Sequence, residues 1–131
     1  MPHHFEFDAE HRILLVVMEG DIDGPEIIQI DREMRAQIQL TQPLVGISDL
    51  TAVTRFNVPG EIIRSLARQK PAPFPPETPR FIVASSDLLF GMMRMYELAA
   101  DRPEGKLTVV RRMEDVLAAL GLQAAKFKRL Q

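Results

Sequence analysis

Apolar residues return along this chain with two different periods, and the switches between them mark out nine elements. His4 to Asp8 alternates, with Phe5 and Phe7 on one side, and Arg12 to Glu19 is a short run rich in Ile, Leu and Val. Period-two alternation and a β-branched run parted by polar residues predict a β-hairpin. Asp23 and Gly24 precede Pro25, whose missing N–H costs nothing in a first helical turn, so a helix starts there. In it Ile27, Ile30, Met34 and Ile38 form the inward stripe while Asp31, Arg32, Glu33 and Arg35 mostly face water.

Pro43 ends that helix, and Leu44 to Leu50 reads as a compact apolar strand closing at Asp49. Asn57 is the expected N-cap of a second helix with Ile62, Ile63 and Leu66 inside. Pro71 to Pro79, which holds half of the ten prolines, reads as an extended connector. Arg80 to Ala84 is a further β-type run, and Ser85, Ser86 and Asp87 offer N-cap oxygens for a third helix through about Ala100. Lys106 to Val110 makes a last strand. Met113, Val116, Leu117 and Leu120 stripe a final helix closed by Gly121. The order β-β-α-β-α-β-α-β-α predicts an α/β fold with a mixed, mostly parallel sheet, the first hairpin supplying the antiparallel strand. Residues 1–131 read as one domain, with 1–121 as its core and 122–131 as a tail.

The stretch from Asp49 to Gly60 reads as a strand end, a turn and a helix start. Asp49, Leu50, Thr51, Val53 and Gly60 stand where the pattern D-L-S-G-V-x-x-I-D-S-S-G has D, L, a hydroxyl residue, V and G. In this it resembles the STAS domain of the SpoIIAA anti-sigma-factor antagonists. The resemblance implies a mixed sheet backed by helices in a βα superhelix, acting through protein contacts and without catalytic residues. In that family a phosphate on the serine at the second helix start repels an anti-sigma partner. Here that serine falls on Pro59 and the one before it on Val58, so the switch cannot operate at that position.

Partners and ligands of open parallel sheets gather where strands end and helices begin, because helix N-termini present free N–H groups. The expected partner-binding edge therefore holds Thr51, Thr54, Arg55, Asn57, Pro59, Gly60, Ser85, Ser86 and Asp87. Thr51 and Thr54 are either phosphoacceptors or residues that fix the turn, and Arg55 and Asn57 could hold an anion with the helix start. The third helix is apolar nearly all round, leaving only Asp87, Arg94, Glu97 and Asp101 as a polar strip. Its face of Leu89, Met92, Met93, Met95 and Tyr96 is expected to lie in the core, to form a homodimer or partner contact, or to hold an apolar ligand.

Other chemistry is thin. Glu19, Asp21, Asp23 and Asp49 could converge on Mg²⁺ or Ca²⁺, but the D-x-D fragment lacks a calcium loop, and acidic residues before a helix are ordinary caps. His3, His4 and His11 are few and terminal, and neighbours on a strand point apart. No metal and no cofactor is expected. No phosphate loop, nucleophile elbow or metalloprotease motif occurs, Ser85-Ser86 has no nearby histidine, and Pro73 to Pro76 reads as a stiff spacer.

Composition adds exclusions. With 131 residues, 46% of them hydrophobic, 26% charged and a net charge of -2, the chain fits a soluble domain with no footprint for nucleic acid. Lys126, Lys128 and Arg129 read as a solvated, frayed end. Having no cysteine removes disulfides and thiolate chemistry and suits a cytoplasmic location. Neither a secretion signal nor an apolar run near the ~20 residues of a membrane span is apparent. The expectation is a non-enzymatic, self-associating STAS-like interaction domain. The alternatives are a carrier or sensor of a small apolar or lipid-like ligand between the sheet and the third helix, and an enzyme using Asp21, Asp23 and Asp49.

Overall fold

The computed structural model describes residues 2–69, 78–100 and 107–130. The strands are β1 (His3–Asp8), β2 (Ile13–Asp23), β3 (Val45–Asn57), β4 (Arg80–Val83), β5 (Leu107–Val110) and β6 (Lys128–Arg129). The helices are α1 (Gly24–Thr41), α2 (Gly60–Arg68), α3 (Asp87–Ala99) and α4 (Met113–Leu120). Six strands form one mixed sheet in the order β5-β4-β3-β2-β1-β6. β2 through β5 are parallel neighbours, and β1 is antiparallel to both β2 and β6.

Strict alternation along β2 divides the core into two. Leu14, Val16 and Met18 join the cluster under α1, α2 and α3, which also takes in Ile30, Ile38, Ile63, Leu89 and Met93. Ile13 and Leu15 join the cluster on the other face with Val45, Ile47, Phe81, Val83 and Val116, beneath α4. The inward stripe of α1 is as its spacing requires. However, Asp31, Glu33 and Arg35 are half-buried rather than solvated. The Glu33 carboxylate sits 3.2 Å from Nε2 of the buried His3.

Caps explain where the helices begin and end. The Asp23 carboxylate accepts the Glu26 N–H and opens α1, and the Ser86 hydroxyl accepts the Leu89 N–H and opens α3. Gly121, at φ 71°, takes the left-handed conformation that closes α4.

Three expectations fail. First, Asp49 to Asn57 is not a turn: β3 continues through it, paired with β2 as far as Asp23↔Asn57. Val17↔Asp49 is followed by Glu19↔Ala52, and Gly20↔Val53 by Asp21↔Arg55, so β3 carries one extra residue at each of two bulges. Asp49 Oδ1 accepts both the N–H and the hydroxyl of Thr51 at the first bulge. Gly20, at φ 69°, adopts at the second a conformation that L side chains resist. Turn-forming residues thus bend a strand instead of ending it. Second, Asn57 ends β3 and does not cap α2; the cap is Pro59, which makes no side-chain cap bond but accepts the Ile62 N–H through its carbonyl.

Third, the C-terminal segment is neither a frayed end nor outside the core. Leu122, Ala125 and Phe127 pack on the α4-side cluster, and Lys128–Arg129 pair with Phe7 and Glu6. The Lys126 N–H donates to Asp8, which also accepts the His11 N–H and faces the His11 ring. Burial raises the Asp8 pKa, but these donors outweigh it and hold the carboxyl at about 2. The proline connector at 71–77, the start of the last strand at Lys106, and Asp101 lie outside the described residues.

Candidate functional site

The sheet's α1–α3 face is not filled. In register across the central strands, Gly46 lies between Leu14 and Arg80, and Ser48 between Val16 and Ile82. The two β3 positions that face these helices near the strand start are therefore the smallest in their rows. A cavity of about 80 Å³ remains, lined by Met18, Leu50, Phe56, Ile63, Ile82 and Met93 among its apolar residues. Its polar lining is Asp31, Ser48, Arg80 and Tyr96.

The lining is graded from end to end. α1 and α3 run back along the strands they follow, so Asp31 and Tyr96 lie toward the strand starts, where Arg80 and Gly46 sit. Ile27, Ile63 and Phe56 lie toward the strand ends with Leu50. Alternate residues on a strand are about 7 Å apart, so the Arg80 row and the Leu50 row are separated by roughly 13 Å. The Asp31 carboxylate is held by Arg35 at 3.0 Å.

The expected third-helix face splits in two. Leu89 and Met93 are core residues, Met92 and Tyr96 pack half-buried against that core, and Met93 and Tyr96 line the cavity. Met95 is 59% exposed and falls on the opposite side with Leu88 at 71% and Leu98 at 73%. These three follow i, i+7, i+10 spacing, with the exposed Gly91 between them, and form one apolar ridge in water.

The expected partner edge is only partly assembled. Ser85, Ser86 and Asp87 meet at the start of α3, where Arg111 donates to the Asp87 carboxylate at 2.6 Å and lies 4.2 Å above the Phe90 ring. Thr51, Thr54, Arg55 and Asn57 are exposed along the bulged part of β3, and Pro59 and Gly60 follow at the start of α2. Thr51 is engaged with Asp49, as a residue that fixes local geometry would be.

Metal ligation by the acidic residues finds no support in the geometry. Asp23 is a helix cap and Asp49 holds Thr51. Among the described residues, the group of three or more potential ligands close enough for an ion is Asp8, Glu10 and His11, and there the Asp8 oxygens already take N–H groups. His3 and His4 diverge as neighbours on a strand must: His3 is buried against Phe5, and His4 meets Glu6 at 2.6 Å. Sequence reasoning missed Gly46, Ser48, Arg80 and Arg111. Their significance lies in neighbours on other strands, and small residues in a central strand were the one available signal.

No protein-family model matches the chain, and no curated protein matches it. Among the described residues, no helix is long and apolar enough to cross a membrane.

Proposed function

We propose that this chain is a non-enzymatic, STAS-like regulatory or protein-interaction domain that works without a phosphoserine switch and self-associates through α3. The observation that carries the reading is the β3–α2 junction, where the position corresponding to the family's phosphorylated serine is Pro59, the N-cap residue of α2. Four parallel strands lying in chain order suit the successive βα units that this family would require. The Leu88–Met95–Leu98 ridge supports self-association, because an apolar stripe left in water favours a partner. The domain acts in the cytoplasm, and its partner meets the edge around Thr51 to Gly60 and Ser85 to Asp87.

Light scattering across a concentration series tests the assembly claim. The wild type is expected to dimerise and Met95→Glu/Leu98→Lys to be monomeric, whereas a wild-type monomer at high concentration removes self-association. Incubation with a serine kinase of an anti-sigma system is expected to leave the peptide from Asp49 to Gly60 unmodified; phosphate on it contradicts the claim about the switch.

A second reading, a carrier or sensor of a small apolar or lipid-like molecule, is favoured by the cavity between the sheet and α3. Native mass spectrometry of the purified protein checks it through any co-purifying small molecule.

A further inference from the structure

We infer that the cavity over Gly46 and Ser48 binds a neutral short-chain alcohol, its hydroxyl toward Ser48 and Tyr96 and its tail toward Leu50, Phe56 and Ile63. This inference rests on the carrier reading and gives its ligand a chemical class. Three observations carry it.

The first is access. Ser48 lies on a central strand, in register between Val16 and Ile82, on the face covered by α1, α2 and α3. Both neighbours are buried, yet Ser48 is only half-buried. A side chain in the middle of a six-stranded sheet reaches solvent only through a gap in the packing above it, and the cavity is that gap. A small molecule therefore has a way in.

The second is the lining. Leu50, Phe56, Ile63 and Ile27 make one end apolar, and Ser48 and Tyr96 bring hydroxyls to the rest. A hydroxyl both donates and accepts, so these two suit a single neutral oxygen. The charged groups beside them are engaged already: Arg35 holds Asp31, and Arg35 and Arg80 each make another interaction. An ionic head would give up its hydration here with no charge set aside to receive it, whereas an alcohol exchanges a hydrogen bond to water for one to Ser48 or Tyr96.

The third is size. The void measures about 80 Å³, roughly half of an engineered apolar cavity of about 150 Å³ that takes benzene. About three tail carbons fit without movement. Met18, Met34 and Met93 in the lining are deformable and make room for more. The favoured alcohols are therefore those of about four to six carbons.

Methionine-methyl NMR of the full chain tests this, with ethanol, 1-butanol, 1-hexanol and 1-octanol as probes and with hexanoate and hexylamine as charged counterparts. The alcohols are expected to shift the signals of Met18, Met34 and Met93, which line the cavity, and to leave Met113, which packs on the other face, unmoved. Affinity is expected to rise about fourfold per methylene from ethanol, as tail burial dictates, and to level off by 1-hexanol. 1-Hexanol is expected to bind roughly tenfold more tightly than either charged counterpart. Ser48→Val, which removes the hydroxyl and fills the space, is expected to abolish the shifts. The chain-length series and the comparison of heads need only the wild type, so they decide the matter even if Ser48→Val does not fold. No shift of the cavity methionines, shifts confined to the exposed Met95, equal binding of neutral and charged heads, or affinity still climbing at 1-octanol overturns the inference. If the alcohols fail but native mass spectrometry shows another bound small molecule, the alcohol assignment falls and the carrier reading stands. If neither is seen, both fall.

Discussion

The two faces of the sheet are built from alternate residues of the same strands, yet they are packed in opposite ways. On the α4 side Ile13, Leu15, Val45, Ile47, Phe81 and Val83 present an unbroken apolar layer, and Val116 and Val83 are wholly buried. On the α1–α3 side, the central strand offers Gly46 and Ser48 where the other face has Val45 and Ile47. Shifting attention by one residue along β3 moves from a filled core to a hollow one. A strand that could pack both faces equally well has kept one open, and this contrast separates the scaffold from the candidate site.

Mutations should feel that contrast. The largest loss is expected from Ile13→Ala or Ile47→Ala on the filled face, about 3 kcal/mol in denaturant unfolding, since deleted volume there leaves a new void. A loss below 1 kcal/mol would mean that this face is slack as well.

Next comes the latch that holds the C-terminal segment over the filled face. Because the folded Asp8 carboxyl titrates at about 2 against an ordinary 3.8, its contribution is fully present above the unfolded value. It is lost as pH falls from about 4 to about 2, and amounts to roughly 2 kcal/mol. Asp8→Asn should flatten that part of the stability–pH curve, and an unchanged acid limb would show that the carboxylate does not hold the segment. Glu33 is also lowered: burial raises its pKa, but hydrogen bonds from Gln29 and His3 and the His3 charge outweigh this. It contributes to the same acid limb, so the comparison must be made within one background.

Gly20→Ala is expected to cost about 1 kcal/mol. The added methyl meets nothing within 4 Å, so the effect comes from φ 69° alone. This sharpens the comparison by asking whether the bulges that carry Phe56 to the hollow face depend on that residue. The smallest effect is expected from Ser48→Val, within about 1 kcal/mol of wild type or slightly stabilising, because the side chain enters existing space. A loss as large as that of Ile47→Ala would erase the distinction between the faces.

Much of the architecture was legible because it is written in local periods and caps. Phe5 and Phe7, the α1 stripe, Asp23 before Pro25, Ser86 and Gly121 each act within a few residues of themselves. β3 was misread because Asp49, Thr51 and Asn57 are turn formers by composition, and only pairing with Glu19 to Asp23 turns that tendency into bulges. The C-terminal segment was misread because Lys126 gains its partner 118 residues away. The hollow was illegible for a related reason: it is a shortage of volume, visible only once β2, β3 and β4 are placed in register. The third helix was half legible, since its composition announced too many apolar residues but not which of them stay wet.

The pairing of Lys128–Arg129 with β1 has a consequence for synthesis. Strands β2 to β5 can join the growing sheet one after another as each leaves the ribosome, since every newcomer docks beside its predecessor. The outer edge of the β1–β2 hairpin, by contrast, lacks its β6 partner until Lys128 and Arg129 have been made. For that interval it is an uncovered ladder of amides and carbonyls, the kind of surface on which nascent chains stick to one another.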